Sequence, residues 1–349
     1  MISAAILGCA GTVLGDDERS FFREAAPWGF ILFRRNVETP DQIRALVDAL
    51  VETTGRDPRE VPILIDQEGG RVQRLRPPHW PKYPPGRAYS LASTNDPMSP
   101  RELARLGARL IAHDLASLGI NVDCVPVLDV PVPGSHDIIG DRAYAEDPDE
   151  VTRLGRAAAE GLLAGGVLPV IKHIPGHGRA FADSHHELPV VTASREELEG
   201  WDFRPFRAMT DMPAAMTAHV VYTAIDPDRP ATTSPECIRL IRQDIGFDGL
   251  LMTDDLSMNA LSGTLETRAE QALAAGCDVV LHCNGDLGEM VQVMAATGPL
   301  AGESERRARA AMARLVRVPE PLDLEDSRGR FERLFAHIEA RKGPAVGEA

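Results

Sequence analysis

The feature that most constrains the fold is a recurring short apolar run. Eight of them, at residues 3–11, 29–33, 62–65, 120–129, 167–171, 214–221, 249–253 and 276–281, punctuate the chain, mostly separated by stretches of helical composition. Short apolar runs bounded by turn residues read as strands buried on both faces. Such strands, joined by helices, make a parallel sheet, because a parallel neighbour requires a crossover. Eight is the count at which that sheet closes into a barrel. The expectation is therefore an α/β chain, a single (β/α)8 TIM-type barrel over residues 1–341, with a frayed tail at 342–349. An open doubly wound sheet is the alternative, but no G-x-G-x-x-G follows the first run, so a dinucleotide site is unsupported.

Helix signals fit between the runs. Thr39 as N-cap with Pro40 at the first helical position starts a helix reaching about Thr54. Residues 100–118 place Leu103, Leu106, Leu110 and Leu115 on one face, and Ser194 with Glu197 forms a capping box. Further helices are expected at 17–26, 149–164, 234–245, 267–275, 303–316 and 326–340. With 44% apolar residues the chain can fill a large core, and a net charge of −15 argues against nucleic acid or an anionic membrane as partner. Five cysteines, an odd number with no C-x-x-C pair, read as reduced buried thiols. The first residues lack a basic segment and read as a strand rather than a signal peptide, and no apolar run approaches a membrane span. A cytoplasmic location is expected. Oligomeric state is open.

In a barrel the carboxyl ends of the strands share one mouth. Those ends carry Arg34, Asp66, Asp129, Lys172, His173, His219, Asp254 and His282. The stretch 172–186, Lys-His-Ile-Pro-Gly-His-Gly-Arg-Ala-Phe-Ala-Asp-Ser-His-His, crowds four histidines, a lysine and an aspartate around glycine and proline breaks, a mixture no core needs. Asp254 follows an apolar strand; a partly dehydrated carboxylate there serves as nucleophile or base, or it caps the next helix. Asp183 and His185, two apart, can pair as carboxylate and imidazole, which tunes a histidine for proton transfer, or they are surface loop residues. His177 is expected to orient the loop and His186 to face solvent. A metal is not expected: His173 and His177 have helical spacing, but Pro175-Gly176 forbids a helix there.

Four blocks then resemble the signatures of glycoside hydrolase family 3, in the right order. They are Asp66-Gln67-Glu68-Gly69-Gly70-Arg71-Val72-Gln73-Arg74; Ile139-Gly140-Asp141-Arg142; Lys172-His173-Ile174-Pro175-Gly176-His177-Gly178 with Asp183-Ser184-His185; and the run into Thr253-Asp254. The D-S-H triplet resembles the β-N-acetylhexosaminidase branch, of the bacterial cell-wall-recycling type. That resemblance implies a retaining exo-β-N-acetylglucosaminidase, with Asp254 as nucleophile and His185 as acid/base partnered by Asp183. It implies that Asp66, Arg74, Arg142, Lys172 and His173 hold the terminal sugar, and that no cofactor or metal takes part. The implied substrates are muropeptides linking N-acetylglucosamine to 1,6-anhydro-N-acetylmuramic acid. Ile174 stands where phenylalanine is common, and the segment 179–182 is not glycine-rich. Phosphate instead of water as acceptor, a metal-dependent amidohydrolase on the same barrel, and an inactive sugar-binding module are the competing readings.

Overall fold

A computed structural model describes residues 1–92, 98–184, 187–316 and 318–342. The eight runs become β1 (Ser3–Gly8), β2 (Pro27–Leu32), β3 (Ile63–Ile65), β4 (Val122–Asp123), β5 (Leu168–Ile174), β6 (Ala214–Thr217), β7 (Leu250–Asp255) and β8 (Val279–His282). All pair in parallel and in chain order, and β8 closes on β1 with Leu7 opposite His282. The barrel is thus the α/β architecture expected, and the open sheet is excluded.

Side chains along each strand alternate between two apolar layers, the period-two pattern of a pleated strand. Ile6, Ile31, Leu64, Val122, Leu168, Val170, Met216, Leu250, Met252, Val279 and Leu281 fill the barrel interior. Their neighbours Leu7, Phe30, Leu32, Ile63, Ile65, Ile171, Leu251 and Val280 face the helices. Each such side chain taken from water stabilises the fold by about 1.5–3 kcal/mol.

Where the capping signals are explicit, the helices start as expected, while those expected from 267 and 326 start two residues earlier, at Leu265 and Leu324. Thr39 caps Pro40–Thr54 by accepting the Gln42 N–H at 3.2 Å. Ser194 and Glu197 cap Arg195–Gly200 reciprocally. Pro100–Ala116 and Pro148–Ala164 pack side by side, with Gly161 so close to Arg105 that a Cβ would lie 2.3 Å from its carbonyl oxygen. Leu324–Lys342 folds back onto the barrel, packing Phe331 against Tyr83 and Phe335 against Tyr89 edge to face. Lys342 is therefore helical, and the rest of the expected tail, 343–349, lies outside the described residues. All five cysteines are buried and free. No helix among the described residues is long and apolar enough to cross a membrane.

Several boundaries differ from the sequence reading. The fourth run pairs continuously only at Val122–Asp123, because Pro126 has no N–H to give the ladder; pairing resumes at Val127 opposite Lys172. The fifth strand runs three residues further than expected, through Ile174, so Lys172 and His173 belong to the strand and not to the loop. The sixth strand ends at Thr217, short of His219. The helix expected at 234–245 is a short α-helix, Pro235–Arg239, continued by a π-helical turn, Leu240–Ile245. The helix expected at 303–316 stops at Met312.

Candidate active site

The interior parity of the strands delivers the site. Continuing the inward-facing positions by two residues leads from Ile31 to Phe33, from Leu64 to Asp66, from Val170 to Lys172, from Met252 to Asp254 and from Leu281 to Cys283. All of these line one cavity of about 230 Å3 at the carboxyl ends of the strands. The cavity is the uppermost layer of the barrel interior, where the packing turns polar.

One wall is a chain of alternating charges. Asp66 accepts from Lys172 Nζ at 2.8 Å and from Arg74 Nη2 at 2.9 Å. Glu68 accepts from the same Lys172 Nζ at 2.7 Å and, through both oxygens, from Arg142 Nε and Nη2 at 2.9 and 2.8 Å. Asp66 and Glu68 reach the same side because they are two apart in an extended segment. Gln67 between them turns away and anchors the backbone of Arg74 and Leu75. Burial alone would raise both carboxyls, but the adjacent cations hold Asp66 well below the usual range and bring Glu68 down to about 2. Both are ionised at neutral pH. Arg74 also lies over the Phe33 ring, 5.0 Å from its centre.

A second group sits around Asp129, which is fully buried. It accepts the backbone N–H groups of His173 and His177 at 3.1 and 2.7 Å and the His173 ring Nδ1 at 2.6 Å. Burial opposes its charge, yet the His173 and His177 imidazoles and these donors bring it down to about 2. With Nδ1–H committed to Asp129, His173 has Nε2 left for a ligand in the cavity it lines. His177 is buried, which lowers it to about 4, and its Nε2 is 3.2 Å from Ser184 Oγ. The loop base is tightly fixed. A Cβ on Gly178 would lie 2.2 Å from the Val130 carbonyl oxygen, Tyr222 donates to the Gly176 carbonyl at 2.7 Å, and Arg179 pairs with Asp202 at 3.0 Å.

Asp254 closes the far side of the cavity. Its Oδ1 accepts the Asp255 N–H at 2.8 Å. Burial pushes the carboxyl up, but His173, His219 and Lys172 more than offset that and hold it below the ordinary range, as a carboxylate. His219 lies buried behind it. Its Nε2 is 3.0 Å from the Asp255 carbonyl, which can only accept, so Nε2 carries the proton. Nδ1 then accepts from Thr232 Oγ1 at 2.7 Å. A fixed, unprotonated carboxylate facing a wall of sugar-type donors and acceptors can attack an electrophilic carbon. Among the described residues no three His, Cys, Asp or Glu side chains are grouped to hold a metal ion.

The model of the glycosyl hydrolase family 3 N-terminal domain matches residues 16–318. The chain belongs to glycosyl hydrolase family 3. Its relatives in that family include a protein named beta-hexosaminidase from Alkalilimnicola ehrlichii, 40% identical over 289 residues, 81% of either chain. The native NagZ structure from Neisseria gonorrhoeae superposes with a TM-score of 0.82 at 32% identity, over 98% of both chains. NagZ from the same organism in complex with N-trifluoroacetyl-D-glucosamine gives 0.81 at 31% identity, over 97% of both. As a family 3 member the chain is a glycoside hydrolase.

Of the family 3 signature residues, Asp66, Arg74, Arg142, Lys172, His173 and Asp254 all line the one cavity. Asp183 is half-buried, and its carbonyl accepts from the Glu187 N–H at 3.0 Å. His185 and His186 lie outside the described residues, so the expected Asp183–His185 pair does too. Four members of the expected polar ring do not line the cavity: Asp129 and His219 are fully buried behind it, and two more point away from it. Arg34 is not at the cavity and donates to the Val37 carbonyl, and His282 is fully buried away from it against Glu289 at 2.9 Å. Both follow an inward-facing residue, Phe33 and Leu281, and so point outward. The sequence reading missed Glu68 as a member of the charged wall, although its spacing of two from Asp66 was the signal. It also missed Asp129 as the anchor of His173, a contact between the segment after β4 and β5 that no local spacing reveals.

Proposed function

We propose that this glycoside hydrolase is a retaining exo-β-N-acetylglucosaminidase. The observation that carries the reading is that Asp254, held as a carboxylate, shares one small cavity with the Arg74–Asp66–Lys172–Glu68–Arg142 wall and His173. The cavity, about 230 Å3, lies below the roughly 300–1,000 Å3 common for ligand sites, which suits one terminal sugar residue and not a chain threaded through. The hexosaminidase names of the relatives and the amino-sugar ligand of the NagZ complex support the amino sugar as that residue.

In the first step the Asp254 carboxylate attacks the anomeric carbon. The glycosidic C–O bond breaks, and the leaving oxygen takes a proton from His185, which Asp183 orients. In the second step His185 removes a proton from water, the water oxygen attacks the same carbon, and Asp254 leaves as a carboxylate. Two inversions give net retention. Asp66 and Glu68 accept from sugar hydroxyls, Arg74, Arg142 and Lys172 donate, and the His173 Nε2 accepts. The substrates are muropeptides ending in N-acetylglucosamine linked to 1,6-anhydro-N-acetylmuramic acid, met in the cytoplasm. The five free thiols suit a reducing compartment.

The test is p-nitrophenol release from the aryl β-N-acetylglucosaminide in phosphate-free buffer with EDTA. Wild type is expected to turn over and Asp254→Ala to lose about 10⁴-fold or more. Turnover only with added phosphate would favour a phosphorylase, and loss with EDTA a metal-dependent hydrolase.

A further inference from the structure

Beneath the charged wall lies a third carboxyl with no part in the reaction described above. Asp123, the last residue of β4, is 0% exposed. Its Oδ1 accepts a single hydrogen bond, from the Gln67 N–H at 2.9 Å, and its Oδ2 has no partner among the described residues. Its neighbours are treated differently: Asp66 and Glu68 each receive two cationic partners and Asp129 three N–H donors. An ionised group with no exposure and one neutral donor would leave its charge almost uncompensated, beside two carboxylates already ionised. The neutral acid costs far less.

The titratable groups facing Asp123 are Asp66 and Glu68 from the segment after β3, Lys172 from β5, Tyr144 from the loop after β4, and Cys124 beside it on β4. Lys172 is the one cation among them, and two carboxylates already share it. The wall itself has three cations against two anions and so carries one excess positive charge. Burial pushes the Asp123 carboxyl up to about 8.

We propose that Asp123 is a positioning residue for the sugar-binding wall, a neutral buried acid that holds the peptide between Asp66 and Glu68 from below without drawing Lys172 away from them. The Gln67 N–H it fixes belongs to the residue between the two wall carboxylates, so its hold sets the reach of both. When it ionises, at mildly alkaline pH, it competes for Lys172 and the wall loosens. The proposal rests on the reading that this wall binds the sugar.

Asp123→Asn keeps the shape and the acceptor for Gln67 but cannot ionise; Asp123→Ala removes both. For the aryl N-acetylglucosaminide, Asp123→Ala is expected to raise KM about tenfold, one lost buried hydrogen bond, with kcat little changed. Asn is expected to recover most of that loss at pH 6–7 and to abolish the wild-type rise in KM above about pH 8. A KM for Asp123→Asn as high as for Asp123→Ala, or an alkaline rise shared by Asn and wild type, would overturn the proposal. Melting curves give a second readout that needs no turnover. The folded chain keeps the Asp123 proton between about pH 4 and 8 while the unfolded chain releases it, so wild-type stability falls with pH across that window. The melting temperature of Asp123→Asn relative to wild type should therefore climb from pH 5 to 8 and then level off. A pH-independent gap would overturn the neutral acid. Absence of wild-type turnover would instead count against the glycosidase reading, and the melts would still decide the state of Asp123.

Discussion

At the scale of single residues, the site is a set of charges made tolerable by partners. Asp129 shows the sign of the effect. Its carboxyl is brought down to about 2 in the folded chain, so the stability it contributes is fully present above the ordinary carboxylate range, near pH 4. That contribution is lost as pH falls from about 4 through about 2. Asp129→Asn should cost about 3 kcal/mol at pH 7, since it disrupts the hydrogen bonds of a buried carboxylate to three N–H donors. Urea unfolding at pH 6 and pH 3 should show a smaller cost at pH 3; equal costs would contradict the assignment. This anchor was not legible in the sequence, because Asp129 and His173 meet only through the pairing of neighbouring strands. Asp66 and Glu68, by contrast, were readable as a same-side pair from their spacing alone.

At the scale of elements, strand parity separates what the sequence could place from what it misplaced. Reading each apolar run for its end suggests a ring that includes Arg34 and His282. Counting in twos from the interior residues Ile31 and Leu281 removes both and keeps Asp66, Lys172 and Asp254. His173 and Asp255 break the parity and still line the cavity, and both sit where pairing slips register, between Lys172 and Ile174 and between Met252 and Asp255. No sequence pattern announces such a slip. The loop after β5 depends on the close approach of Gly178 to the Val130 backbone. Gly178→Ala should displace that loop and lower kcat/KM at least about tenfold, as misplacement of positioning groups does, with an unchanged far-UV circular dichroism spectrum. Full activity in this variant would show that the loop base tolerates movement.

For the whole molecule, the eightfold repeat made the barrel legible, since each run had one partner on either side and helices to cover it. The role of the C-terminal helix was less so. Its aromatic face packs Phe331 and Phe335 onto Tyr83 and Tyr89, a contact between distant segments that helical periodicity does not specify. Arg328 also reaches the Asp114 carboxylate, which Tyr83 meets from the other side at 2.7 Å. Phe331→Ala should destabilise the fold by about 3–5 kcal/mol in denaturant titrations. A change below about 1 kcal/mol would mean the helix is an appendage and not part of the core.

Under the proposed mechanism Asp254 forms a covalent bond to the sugar. The most direct measurement is mass spectrometry of the protein after exposure to a fluorinated N-acetylglucosaminyl donor with a good leaving group, which forms the glycosyl-enzyme faster than it breaks down. One sugar added per chain, on the peptide and side chain of Asp254, is the predicted result. No adduct while the wild type turns over, or an adduct on another residue such as Asp255, would contradict it.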